Sequence, residues 1–169
     1  MRRLLIRFVL PLFFCLIPFL AAAVVAVAIP RQAMYFFLEH LSALDILILG
    51  LGSLLFVIQM SQAWRALRLK GDTFDSRADR WLNHLSGAAE WFPMLGLIGT
   101  VGGILQTFSS IDGPTQPHVI IQKYAPAITA TGAGLFMAFI NILPPWVVMT
   151  GRELIMALGG ITPPEERAP

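Results

Sequence analysis

Charge is what this chain has least of. Asp, Glu, Lys and Arg together make up 13% of its 169 residues, against roughly 25% in an ordinary soluble domain. The single cysteine, Cys15, excludes an internal disulfide, and it has no neighbours for a metal site. The three histidines, His40, His84 and His118, fall in separate loops, with no HExxH, no paired CxxC and no metal-ligand spacing. Ser61 and Ser86 have no evident base, and the glycine-rich run near residue 100 lacks the GK[ST] ending of a phosphate loop. The chain is therefore read as a non-enzyme, without cofactor or metal.

What is present is apolar surface. Hydrophobic residues reach 56% and the mean hydropathy is +0.71. A spanning helix needs about 20 mostly apolar residues, and four segments qualify, at about 4–29, 44–60, 88–110 and 124–150. The expected fold is an all-α integral membrane protein with four transmembrane helices. The first segment has a rival reading as a signal peptide, with MRRLLIRF as its basic start and AAA at 21–23 as its cleavage site. The apolar run continues to Ile29, which favours a retained helix. Cleavage would leave three helices and the same later topology.

Orientation follows from lysine and arginine. With the N-terminus in the cytoplasm, the inside segments hold Arg2, Arg3, Arg7, Arg65, Arg68, Lys70, Arg77, Arg80, Arg152 and Arg167, and the outside segments only Arg31 and Lys123. Both termini are then cytoplasmic. The net charge of +2 is explained by this topology, so no nucleic-acid partner is expected.

Four regions follow. Residues 1–60 hold the first two membrane helices. Residues 61–87 form a short amphipathic cytoplasmic hairpin broken near Gly71, read either as a plain solvated connection or as a docking surface. Residues 88–150 hold a second helix pair, and 151–169 a cytoplasmic tail. The outer loop 30–43 is semi-apolar, and its aromatics suit the headgroup zone. Loop 111–122, with Gly113, Pro114 and Pro117, is short enough to make the third and fourth helices antiparallel neighbours.

The third segment carries small residues, Gly96, Gly99, Gly102 and Gly103, around one hydroxyl, Thr100. The fourth repeats the theme with Thr129, Thr131 and Gly134. Small residues let helix backbones approach closely in lipid, and a hydroxyl there needs a partner or a purpose. Seven residues separate Thr100 from Thr107, so the two lie about 20° apart on one helix face. Thr131 shares a face with Tyr124 and Ala138 by the same spacing. Each hydroxyl either lines a polar path or back-bonds to its own helix. Gln106 and Asn141 read as interhelical hydrogen-bonding groups.

PMLGLIGTVGGI at 93–104 resembles the signature helix of the MotA/TolQ/ExbB proton-channel family, commonly P-x-[IL]-G-L-[LF]-G-T-V-x-G-I. APAITATGAGLFMAF at 125–139 resembles the family's last helix, commonly A-E-A-L-x-A-T-x-x-G-L-x-A-A, through Ala125, Ala127, Ala130, Thr131, Gly134, Leu135 and Ala138. Pro126 stands where TolQ- and ExbB-type members usually place a glutamate. Thr131 and Pro144 keep the 13-residue spacing of the MotA branch, whose large cytoplasmic domain has no counterpart here.

The resemblance implies a homo-oligomeric ring, a pentamer, in the bacterial inner membrane. It surrounds a single-helix MotB/TolR/ExbD-like partner whose aspartate carries the ion, and the proton-motive force drives a stator-like motor. Thr100 and Thr131 are the implied ion-path residues, and Thr107, Tyr124 and Glu90 further candidates, although Glu90 also suits a helix N-terminus through the dipole alone. Gly96, Gly99, Gly103 and Gly134 are helix-packing positions, and Pro93 and Pro144 shape helix ends or a hinge. The alternative is a non-conducting membrane scaffold of the same family.

Overall fold

The computed structural model describes residues 8–68, 76–110 and 116–159. Among these there is no strand, and six helices follow in order: α1 Leu10–Ala28, α2 Arg31–Glu39, α3 Ala43–Leu67, α4 Ser76–Ala89, α5 Trp91–Ser109 and α6 Pro117–Gly159. Four helical stretches are long and apolar enough to cross a membrane. They are Leu10–Ala28, Ala43–Leu67, Arg80–Ser109 and Val119–Leu158.

The ends of these helices have local causes. Pro11 sits in the first turn of α1, where a missing N–H costs nothing. Ile29 is extended (φ −71°, ψ 126°), as the residue before a proline prefers to be, so the chain turns at Pro30 into α2. The α3 start is a capping box. Asp45 N–H donates to Ser42 Oγ at 3.2 Å, and Ser42 N–H donates to Asp45 Oδ2 at 2.7 Å. At the other end of the bundle one residue, Glu90, separates α4 from α5.

Several boundaries differ from the sequence reading. The loop at 30–43 contains α2, a nine-residue helix. The second span continues to Leu67, and the fourth begins at Pro117 and runs 43 residues through Pro126, Pro144 and Pro145. Proline ends helices in water because freed carbonyls are cheaply solvated there. In a bilayer the chain has no such outlet, and the helix is the state that leaves fewest backbone groups unpaired. The expected break near Gly71 lies outside the described residues.

The long last helix α6 is the centre of the bundle. It packs most extensively on α5 and α3, and also on α1 and α4. Half of its apolar window is buried (50%), against 22% for α1 and for the α5 stretch. Helices α3 and α6 run parallel, tied along their length. Asn141 Nδ2 donates to Gly52 O at 3.1 Å, and Arg152 Nε donates to Ala66 O at 3.2 Å. The α5–α6 pair is antiparallel.

Candidate functional site

Glycine decides how close α5 and α6 come. A methyl group on Gly96 would lie 2.9 Å from Ala130 O and 3.1 Å from Thr131 Cα, and one on Gly134 would collide with Phe92 O. Two turns further on, a methyl on Gly103 would sit 3.0 Å from Ala127 Cα. These obstacles are backbone, which cannot swing aside as a side chain can. Gly99 faces Ala130 and Leu44. Gly102, grouped with the others by sequence, points away and would meet nothing within 4 Å. In an α-helix 102 lies about 100° from 103, so the two cannot share a contact face.

Between these glycines Thr100 and Thr131 meet. Their hydroxyls hydrogen-bond directly across the helix pair. Thr100 Oγ1 also lies 3.0 Å from Gly96 O and 3.3 Å from Ala127 O, and Thr131 Oγ1 lies 3.4 Å from Gly96 O. Each hydroxyl has one proton to donate. Thr131 can donate to Thr100 while Thr100 donates to a carbonyl, or Thr100 can donate to Thr131 while Thr131 donates to Gly96 O. The two directions use the same oxygens and leave neither proton unbonded. Back-bonding and pairing across the helices are thus both present at Thr100.

The other candidates are placed differently. Thr107 is buried and donates to one of two carbonyls, Gly103 O at 2.8 Å or Lys123 O at 2.9 Å. It tethers α5 to α6 without a hydroxyl partner. Tyr124 is half-buried and meets the Phe108 ring edge-on, with centroids 6.4 Å apart. Glu90 is exposed at the α4–α5 junction, and its side chain caps no backbone N–H. Pro93 lies in the first turn of α5, and Pro144 lies inside α6 rather than at its end. Asn141 reaches α3 through Gly52 O, whereas Gln106 is exposed.

Sequence reasoning missed Asp45. It is fully buried (0% exposed), and its Oδ2 accepts from Thr129 Oγ1 at 2.9 Å, from Ser42 Oγ at 2.9 Å and from Ser42 N–H. Its Oδ1 is buried with no hydrogen-bond partner in the protein. Thr129, 3% exposed, also lies 3.1 Å from Pro126 O. The signal available was the S-x-x-D pattern at 42–45, a cap signature. Nothing local pointed to a partner 84 residues away.

Comparison with known proteins points to one family. The family model for the "MotA/TolQ/ExbB proton channel family" matches residues 54–152, a stretch that includes α5 and most of α6. A curated protein of Methanothermobacter thermautotrophicus, described as a biopolymer transport protein ExbB homolog, is 38% identical over 77 residues. That match covers 46% of this chain and 27% of the relative, so the chain spans only a part of the relative's length. No solved structure matches the chain.

Proposed function

The chain belongs to the MotA/TolQ/ExbB proton channel family, and from that premise we propose that it is the ring-forming, stator-like subunit of a motor driven by ion flow. It works as a multi-pass protein of the bacterial inner membrane, with both termini in the cytoplasm. Copies of the chain surround a single-helix partner of the MotB/TolR/ExbD type, which carries the ion on a membrane aspartate. Protonation removes a charge that is costly in the bilayer, so loading and release change which ring contacts the partner helix favours.

One observation carries this reading, the hydroxyl pair of Thr100 and Thr131 between close-packed backbones. A pair that can bond in either direction can pass a donor or acceptor role along without holding a fixed charge. The α5–α6 face holds no acid of its own to compete with the partner's carboxylate. Asp45 lies on α3 and meets Thr129, on another face of α6, instead.

A second reading is a scaffold that keeps the packed helix pair without conducting. Pro126, where TolQ- and ExbB-type members usually place a glutamate, favours it. Reconstitution with the candidate partner in proteoliposomes separates the two. For a channel, a proton gradient is dissipated by the wild-type complex, Thr131→Val stops the flux, and Thr131→Ser keeps it. A wild-type complex that forms a ring by electron microscopy yet carries no flux supports the scaffold.

A further inference from the structure

Two turns of an α-helix take about seven residues, so positions 45, 52, 59 and 66 of α3 lie within about 60° of one another. All four are buried. Each meets a neighbouring helix through a polar bond. Asp45 accepts from Thr129, and Gly52 O accepts from Asn141 Nδ2. Gln59 Nε2 donates to Leu85 O of α4 at 3.1 Å, and Ala66 O accepts from Arg152 Nε. The other side chains that α3 buries are apolar, so this row is a polar line through the interior of the subunit.

Three buried side-chain oxygens on this line have no hydrogen-bond partner in the protein: Asp45 Oδ1, Asn141 Oδ1 and Gln59 Oε1. The two amides are oriented by their neighbours. Asn141 Nδ2 lies against two carbonyls, Gly52 O at 3.1 Å and Met137 O at 2.8 Å, and Gln59 Nε2 lies against Leu85 O. Turning either amide over would set oxygen against oxygen. The oxygens are therefore the unpaired atoms, and each wants a donor. A buried acceptor without one has lost its hydration and gained nothing.

The three oxygens select the donor by size and spacing. A metal ion needs several oxygens at one point, whereas these are spread along α3 at intervals of about 10 Å. A lipid or a partner helix cannot reach atoms buried inside the subunit. Water can, since it brings two protons and needs only about 10–15 Å³ of free volume. Beside Asn141, the space against Gly52 is filled by the thioether of Met137, a flexible side chain that adapts to its neighbours. Near Asp45, Thr129 and Leu49 border a cavity of about 390 Å³ that Phe36 and Phe37 of α2 help to close.

We propose that each subunit binds a line of internal waters along this face of α3, one donating to each of Asp45 Oδ1, Asn141 Oδ1 and Gln59 Oε1. The intervals are too long for these waters to bond to one another, so they are separate sites and not a proton wire. A bound water can hold one bond while exchanging the other. It joins α3 to its neighbours without fixing their register.

Radiolytic hydroxyl labelling of the full chain in lipid nanodiscs tests this, because a brief X-ray exposure makes the radical where the water sits. Sulfur side chains oxidise readily, and two buried ones can be compared. Met137, 4% exposed, adjoins Gly52 and the Asn141 site, whereas Cys15, 9% exposed, lies on α1 and at no level of the line. Met137 is expected to oxidise several-fold faster than Cys15. Asn141→Leu removes the acceptor and is expected to bring Met137 down to the Cys15 rate. A wild-type Met137 no faster than Cys15 overturns the proposal, as does a fast Met137 in a folded Asn141→Leu protein.

Because Asn141→Leu could fail to fold, the wild type is also imaged by electron microscopy at a resolution that shows ordered water. Density about 2.5–3.0 Å from each of the three oxygens supports the line. Oxygens closed off by side chains, with no such density, sink it.

Discussion

Thr129 and Thr131 are two residues apart on one helix, carry the same side chain and do different things. Thr131 faces α5, where glycine has cleared the wall and the opposing group is another hydroxyl. Thr129 faces α3, where the opposing group is a buried carboxyl, and its bond to Asp45 joins two helices at the head of a capping box. The first arrangement is reversible, since either oxygen can give or take the proton. The second is polarised, since Thr129 donates to Asp45 Oδ2, an oxygen that also accepts from Ser42. The difference comes from what the neighbouring helix presents and not from the threonine. Side-chain identity sets what a group can do, and packing selects which of those it does.

This contrast can be broken most severely at the glycines. Gly134→Leu is expected to prevent a stable fold, because overpacking costs about 1–3 kcal/mol even where side chains can yield and here the obstacle is the Phe92 carbonyl. Size-exclusion profiles and detergent melting curves check this, with Gly102→Leu as a matched change that leaves both unaltered. A well-folded Gly134→Leu protein would mean that α5 and α6 are not held this close.

Asp45→Ala comes next, at about 2–4 kcal/mol, from a lost cap and an abandoned interhelical hydrogen bond. Asp45→Asn should recover part of it. Equilibrium unfolding in mixed micelles measures the loss, and a wild-type curve for Asp45→Ala would remove Asp45 from the account of how α3 and α6 are joined.

Thr129→Val should cost about 1 kcal/mol, near the values found for hydrogen bonds between membrane helices. It leaves Asp45 with the Ser42 donors alone. Smallest is the paired change Thr100→Val with Thr131→Val. Replacing both members of a hydrogen bond by apolar groups of the same shape is close to neutral, so its unfolding curve should lie within about 0.5 kcal/mol of wild type. The opposite ranking, with the Thr100/Thr131 pair costing more than Thr129, would show that the paired hydroxyls are structural.

Much of this was readable from sequence where periodicity and composition act locally. The four spans follow from hydropathy alone, and the common face of Thr100 and Thr107 from the helical repeat. Both threonines do point at α6. What escaped depends on contacts far apart in the chain. Asp45 sits at the head of its span beside Ser42, where an acid looks like a cap and nothing more. The true length of α6 was hidden at its two ends, where Pro117 reads as a turn former and Arg152 and Glu153 as the start of a polar tail. Helix α2 is short enough that its apolar residues, which close a cavity against α6, resemble a loop.

The length of α6 has a mechanical side. At 1.5 Å per residue, its 43 residues rise about 64 Å, roughly twice the ~30 Å hydrocarbon thickness. Its two threonine contacts lie near the start, at its thirteenth and fifteenth residues, and Arg152 holds α3 far down the same helix. A small tilt about the Thr100–Thr131 contact is therefore magnified with distance. Because Asn141 and Arg152 tie α3 to α6 beyond that contact, the two helices tilt as one body, and a change of angle in the membrane is carried to the far end of both.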